Sequence, residues 1–396
     1  MSTRTARRSC YTALGAALVA LLLLVHPAEG PAASRQFVAP KILRRLPFDE
    51  VSTAQADPLT GRVWITQAAP TYVKGTSHRS DGVTVLAPGT FTVLKHLRWA
   101  GTEPATDVIF DGNTAYLVLA NSKLVLVDTR TYRTVRTVRL GLPAGSEQSL
   151  AIDQAARRLY VTGPHVTVYS LETFKKVGTL AATGESVAVN PVTNEVWTDN
   201  YSAATAQAFD AYTNTLVKTI QIGAPGRPKG CEDKCKVIPA GPDGLAVNPA
   251  TNTIYVDDTN SGQLFVIDGH TYKWVKFLQA STPGTYWAAV DPKQNLTYSI
   301  NDNTSTLTTV DGATNTELTH LSIGVPQGPK GCDIFGYAQH CTTGGSGPAN
   351  VSVDPLNGDI YIANYGDTAF VAAGWLKKPA TAGNVVVLSP GHWRRP

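Results

Sequence analysis

One aromatic position recurs along this chain at a fixed distance from a turn. Asp57, Asp153, Asn190, Asn248, Asp291 and Asp354 each open a turn, and the seventh residue on from each is Trp64, Tyr160, Trp197, Tyr255, Tyr298 or Tyr361. A further copy, around Asp111 and Tyr116, has a turn two residues shorter. A second turn recurs as Asp-x-x-Thr at Asp128/Thr131, Asp210/Thr213, Asp268/Thr271 and Asp311/Thr314, with degenerate forms at Ala87/Thr90, Ser170/Thr173 and Ser389/His392. Self-similarity at a period of about 40–50 residues, with several short strands per unit, marks a propeller or a solenoid. Seven units fill the chain from Val51 onward, near residues 49–97, 103–141, 147–180, 184–223, 242–278, 285–324 and 348–393.

Within a unit, four runs alternate with period two and are separated by Gly, Pro, Asn and Asp, which predicts strands. The unit Asn248–Asp268 shows the pattern: an Asn-Pro turn, TIYV, a loop, QLFVI and an Asp-Gly turn. First strands such as GLAV (244–247) carry small and branched residues suited to a crowded axis, and fourth strands such as 273–278 are the most polar and suit the rim. Each repeated aromatic is expected to wedge between its own blade and the next. The last unit stops short of a fourth strand of its own, whereas Lys41–Phe48 (KILRRLPF) precedes the first unit and resembles the fourth strands VRTVRLG and VKTIQIG. The expectation is an all-β, single seven-bladed β-propeller of four-stranded antiparallel blades, closed by an N-terminal strand at 41–48 that completes the last blade. Closure removes open sheet edges.

Tyr160-Val161-Thr162, Tyr255-Val256-Asp257-Asp258 and Tyr361-Ile362-Ala363-Asn364, preceded by Asn-Pro-x-Thr-Asn at 190–194 and 248–252, resemble the YVTN-type β-propeller repeat. The resemblance spans residues 34–396 and implies a propeller of a family made up mostly of secreted and surface proteins.

Residues 1–33 combine Arg4, Arg7 and Arg8, an apolar run at Ala13–Val25 and small residues at Ala28, Gly30, Ala32 and Ala33. That is the layout of a cleaved signal peptide, and the run is too short to span a bilayer at about 20 residues. A secreted, extracellular or cell-envelope location is expected, by the general or the twin-arginine route, with no membrane span. The formal charge of +4 shows no concentrated basic face, so no nucleic-acid partner is expected.

Loop lengths are uneven. From repeated aromatic to second turn, five units take 10–13 residues, but the first takes 23 and the last 28. From second turn to the next aromatic the usual span is 27–32, but it is 45 after the fourth unit and 50 after the sixth. In a four-stranded blade the 2–3 loops and the blade-to-blade links share one face, so all four expansions are expected there. Long loops massed on one face of a rigid scaffold are where binding is usually carried. The expected binding residues are Tyr72, Lys74, His78, Arg79, Tyr337, His340, Tyr365, Trp375 and Lys377, with Phe335 and Lys378 beside them. Tyr and Trp flanked by cations suit a glycan, peptide or protein ligand.

The two long links share Pro-Lys-Gly-Cys followed by a second cysteine. Local disulfides Cys231–Cys235 and Cys332–Cys341 are the expected state in an exported protein. A four-cysteine zinc site is the alternative, disfavoured in an oxidising compartment. Glu103, Glu147, Glu185 and Asp243 sit near the starts of inner strands, where converging carboxylates would suit Ca²⁺; the incomplete ring of acids favours loop capping instead. No other cofactor is expected. Asp257, Asp258 and Asn260 are expected to hold a turn. His78, His165 and His340 are scattered and do not form a metal-ligand pattern. The chain lacks Gly-x-Ser-x-Gly, His-Glu-x-x-His, a phosphate-binding glycine loop and Cys-x-x-Cys-His. The expectation is a monomeric, non-catalytic binding or scaffold propeller; a metal-dependent lactonase-like hydrolase or lyase with its site at the channel mouth is the alternative.

Overall fold

The computed structural model describes residues 35–48, 50–67, 82–99, 104–143, 149–223, 240–280, 283–328, 342–366 and 382–394. Among these residues there is no helix. Seven four-stranded antiparallel sheets form the blades of a β-propeller. Blade one comprises Val51–Ala56, Val63–Gln67, Val83–Leu86 and Val93–Leu97; blade two Ala105–Asp111, Thr114–Leu119, Lys123–Asp128 and Thr134–Arg139; blade three Leu150–Asp153, Arg158–Val161, Thr167–Ser170 and Lys176–Thr179. Blade four comprises Val187–Asn190, Glu195–Asn200, Thr205–Asp210 and Leu216–Gln221; blade five Pro242–Asn248, Thr253–Asp258, Gln263–Asp268 and Lys273–Leu278; blade six Thr285–Asp291, Leu296–Asn301, Thr306–Asp311 and Thr316–Ser322. Blade seven takes Pro348–Val353, Ile360–Gly366 and Ala382–Leu388 from its own unit, and Ile42–Pro47 as its outer strand.

The expected closure is present: Ile42 pairs with Leu388, Leu46 with Val385 and Pro47 with Asn384. A second clasp went unnoticed in the sequence. Gln36–Val38 pairs with His392–Arg394, and the rings of Phe37 and Trp393 meet at 5.2 Å. Both rings pack against the apolar cluster between blades six and seven.

The core is divided among the blade interfaces. One cluster joins Leu46 and Tyr361 of blade seven to Val51 and Val63 of blade one, and others follow at each successive interface around the ring. The repeated aromatic is the anchor at every interface, and it meets the 3–4 turn of the next blade. Tyr160 donates its hydroxyl to Ala211 O at 3.2 Å, Tyr255 donates to Asn315 Oδ1 at 2.6 Å, and Tyr298 Oη accepts from Gly391 N at 3.1 Å. The other four make ring contacts: Trp64 with Tyr132, Tyr116 with Phe174, Trp197 with Tyr272 and Tyr361 with Phe91. Six of the seven aromatics are essentially inaccessible and Tyr116 is nearly so. The partners Phe91, Tyr132, Phe174 and Tyr272 all sit in the left-handed region, at φ of 56–59°. Bulky residues rarely adopt that conformation, so the interface contact holds the ring there against the local preference.

Each outer strand carries a β-bulge at an apolar residue: Leu43, Leu94, Val135, Val177, Val217, Val275 and Leu318 in blades seven and one to six. A bulge breaks the pairing register and twists the strand, which blunts an exposed edge against pairing with another chain.

Candidate functional site

The antiparallel order of each blade places the 2–3 loops and the blade-to-blade links on one face and the 1–2 and 3–4 turns on the other. All four expanded segments leave from strand ends on the first face, and their described feet are pinned in pairs. In blade one, Gln67 N donates to Gly82 O. In blade seven, Gly366 is paired with Ala382. Between blades six and seven, Ser346 N donates to Val325 O and Val325 N donates to Ser346 Oγ, both at 2.8 Å, while Ser305 Oγ donates to Val325 O from the blade beneath. Gln327 N is tied to Asn303 O. Between blades four and five, Gly223 and Ala240 stand so close that a Cβ on the glycine would lie 2.6 Å from that of the alanine. Gly241 N then donates to Asp258 Oδ1 at 2.8 Å. Each long segment therefore starts and finishes at one fixed point of the scaffold.

Tyr72, Lys74, His78, Arg79, Phe335, Tyr337, His340, Trp375, Lys377 and Lys378 lie outside the described residues, as do Glu103, Glu147 and all the cysteines, Cys231, Cys235, Cys332 and Cys341 included. Tyr365 is described, and it is a correction to the expected exposed surface: it is 6% exposed and packs over Gly347, where an added Cβ would lie 2.9 Å from the ring. It closes the base of the face instead of presenting a ring to solvent. His165 is exposed in the 2–3 turn of blade three.

Of the expected channel-mouth acids, Glu185 and Asp243 occupy equivalent places five residues before Asn190 and Asn248 in adjacent blades. In blade five this place is a β-bulge between Pro242 and Gly244. The inner strands of blades one, two, six and seven bulge at the same position, at Ser52, Thr106, Tyr286 and Ala349. The bulge residue is thus set by the backbone of the blade, while its side chain varies from carboxylate to methyl. Desolvation raises the pKa of Glu185, although part of the side chain remains open to solvent. Among the described residues, no group of three or more His, Cys, Asp and Glu is placed to hold a metal ion.

The buried carboxylates lie one layer deeper. Asp199 and Asp257 occupy the same place in blades four and five, two residues beyond the repeated aromatic, and neither is accessible to solvent. Asp199 accepts from Glu185 N, Ser186 N and Ser186 Oγ, the last at 2.6 Å. Burial pushes its pKa up to about 7. Asp257 Oδ1 accepts from Ser299 Oγ of blade six at 2.6 Å, while Oδ2 is buried without a hydrogen-bond partner. Burial first, then the charges of Asp199 and Asp258, raise Asp257 to about 8. A carboxyl so placed keeps its proton at neutral pH. The sequence-based assignment of Asp257 as a turn residue therefore does not hold: it bridges two blades. Asp258 does hold the turn, accepting from Asn260 N, Ser261 N and Ser261 Oγ. In blade two, Asp107 binds Leu150 N of blade three and is raised to about 7 by burial.

No family model matches the chain, and no curated protein compared with it matches. Among solved structures the fold is widespread, with 1740 matching chains. One of these belongs to a crystal structure of the mitotic checkpoint complex. At 13% identity and a TM-score of 0.60, that match covers 96% of this chain and 99% of the other. Such a likeness establishes the β-propeller and nothing finer, because one fold hosts many functions.

Proposed function

We propose that this is an exported, non-catalytic binding or scaffold propeller of the YVTN-repeat type that takes a protein, peptide or glycan ligand on its long-loop face. One observation carries the proposal: all four expanded segments spring from that face, each from feet pinned in pairs, and three of them belong to the adjoining blades six, seven and one. A rigid ring with irregular length confined to one side is the usual arrangement of a recognition surface. Trp375, with Lys377 and the Tyr72–Arg79 stretch, supplies aromatic and cationic groups of the kind that anchor such ligands. The two local disulfides would brace the long links in an oxidising compartment.

The test is a screen of residues 34–396 against arrayed envelope glycans and immobilised envelope proteins, followed by Trp375→Ala on whatever is retained. A loss of about tenfold in affinity at an unchanged melting temperature is expected, in the range of an interface anchor. Retention untouched by Trp375→Ala and by shortening of 68–81 and 367–381 would place the ligand elsewhere. Metal analysis of the same preparation separates the alternative, since one tightly held divalent ion per chain favours the hydrolase.

A further inference from the structure

One blade departs from the others at its outer edge. Every outer strand turns two side chains toward the preceding blade, one just before its bulge and one two residues after it. The second of these lies opposite a third-strand residue. The pairs are Thr84–His96, Val125–Thr137, Thr167–Thr179, Gln207–Thr219, Thr308–His320 and Val386–Arg45 in blades one to four, six and seven. Each contains a polar side chain, and Thr84–His96, Gln207–Thr219 and Thr308–His320 are hydrogen-bonded. In blade five the pair is Phe265–Phe277. At the first position the other blades have Val93, Thr134, Lys176, Leu216, Glu317 and Ile42, and blade five has Trp274. No other outer strand carries an aromatic residue at either place.

Three rings therefore share one wall. Phe265 lies 5.0 Å from Trp274 and 6.1 Å from Phe277. The wall faces blade four: Phe265 and Ile267, which lie opposite Phe277 and Trp274, pack with Trp197, Ala206 and Ala208 of that blade. Phe265 is 4% exposed and forms the floor of a cleft, while Trp274 at 44% and Phe277 at 52% are open to solvent. Across the cleft stands Lys218, exposed and opposite Ala208 on the fourth strand of blade four. The matching Arg44, Arg136 and Lys276 each donate to a carbonyl in the 3–4 turn of the next blade. Lys218 makes no such bond among the described residues. A rim that needs only solubility has no use for half-exposed Trp and Phe. Aromatic rings clustered in this way mark binding surfaces.

We propose that the cleft between blades four and five is a docking groove for an extended, proline-bearing peptide that carries an acidic residue. The cleft itself selects among occupants. Packed sheets stand about 10 Å apart, so a bilayer or a folded domain meets only the lips, whereas a single chain reaches Phe265. A peptide added as a β-strand needs an unbroken edge, and this edge is broken at Val275. A polyproline II chain needs no ladder partner and lays its proline rings on aromatic ones. A glycan needs several hydrogen-bonding side chains around the rings, but the polar groups nearby are engaged: Asp268 with N–H groups of its own turn, and Gln263 with Gln279. Lys218, facing the rings, is the complement of a carboxylate on the peptide.

The experiment uses residues 34–396 and a panel of fluorescein-labelled dodecapeptides with a Pro-x-x-Pro frame and one or two Asp, read by anisotropy. Trp274→Thr combined with Phe277→Thr gives blade five the residues that blade two carries at the same places, Thr134 and Thr137. Peptides that bind should lose about tenfold or more in this variant, while Val93→Thr, at the matching exposed place in blade one, keeps them within about twofold. Lys218→Glu should weaken the Asp peptides by about threefold or more and leave their Asn counterparts unchanged. Equal binding by the unmodified protein and the double variant would overturn the proposal, as would equal binding of peptides with Ala in place of Pro. So would the absence of any binding at about 1 mM peptide. A dimer of the unmodified protein that the double variant abolishes would give the cleft to a second copy instead. If the double variant melts early, Phe277→Thr alone replaces it, with a smaller loss in the same direction expected. Trp375→Ala leaves this binding unchanged, so the cleft and the long-loop face fail or stand separately.

Discussion

Tyr255 offers a direct measure of what an interface aromatic contributes. Its ring is fully buried between blades five and six, and its hydroxyl donates to Asn315 Oδ1 at 2.6 Å across the interface. Tyr255→Phe deletes that bond and leaves the Asn315 oxygen without its donor, which costs about 1–2 kcal/mol. Tyr255→Ala also opens a cavity the size of the ring, about 3–5 kcal/mol in total. A domain of roughly 360 residues unfolds with an entropy on the order of 0.75 kcal/mol per kelvin near its midpoint. The expected drops in melting temperature are therefore about 1–3 °C for Phe and about 4–7 °C for Ala. Asn315 sits at φ 53°, so Asn315→Gly removes the carboxamide without adding backbone strain. Calorimetry of Tyr255→Phe, Asn315→Gly and the double variant closes a thermodynamic cycle, with an expected coupling of about 1 kcal/mol. A coupling below about 0.3 kcal/mol, the scatter for independent sites, would mean that the two blades do not hold each other through this pair.

Three further outcomes follow from the described geometry. Asp257, raised to about 8, and Asp107 and Asp199, raised to about 7, hold protons in the folded protein that the unfolded chain releases near pH 4. Their contribution is complete below pH 4 and is lost as pH rises to 7–8, by up to about 1.4 kcal/mol per pH unit for each group. The melting temperature should thus fall from pH 5 to pH 8, and Asp257→Asn should flatten that fall; an equally steep curve in the variant refutes the assignment. Asp128, Asp210 and Asp268 are shifted the opposite way, chiefly by the backbone N–H groups of Thr131, Thr213 and Thr271. Their contribution is lost as pH falls below about 4, giving a second decline on the acid side. Deleting residues 35–47 uncovers the apolar edge Ala382–Leu388, so size-exclusion chromatography should show oligomers, and a monodisperse monomer with an unchanged melt would contradict the pairing. In Gly244→Ala the new methyl would lie 2.4 Å from Tyr286 O of the neighbouring inner strand; overpacking of that kind costs about 1–3 kcal/mol, and an unchanged chemical-denaturation midpoint would argue against so close an approach.

The blades were legible because they repeat. A buried aromatic seven residues beyond an Asx turn leaves the same mark each time, and Ile42–Pro47 could be recognised by likeness to its sister strands. A second ring stands at four of the seven interfaces, at Phe91, Tyr132, Phe174 and Tyr272, yet local preference assigns such left-handed turn positions to Gly or Asn. Only the neighbouring blade explains a bulky residue there. Asp257 and Asp258 are adjacent and chemically identical, and their different roles depend on which way a strand side chain points relative to blade six. Tyr365 was misplaced for a related reason: it was grouped with the long loop that follows it, although strand pairing extends to Gly366.

The strand that completes blade seven is among the first parts of this domain to be synthesised, and its partner, Ala382–Leu388, is among the last. No growing chain can form that sheet until residue 388 has emerged. Until then six or fewer blades carry a raw edge, and the loop to be closed spans nearly the whole domain, which makes closure slow. Any compartment that hosts this protein must shield an unfinished chain for the whole of its synthesis and delivery. A nonsense or frameshift lesion anywhere ahead of residue 382 would leave a sticky fragment in place of a smaller working ring.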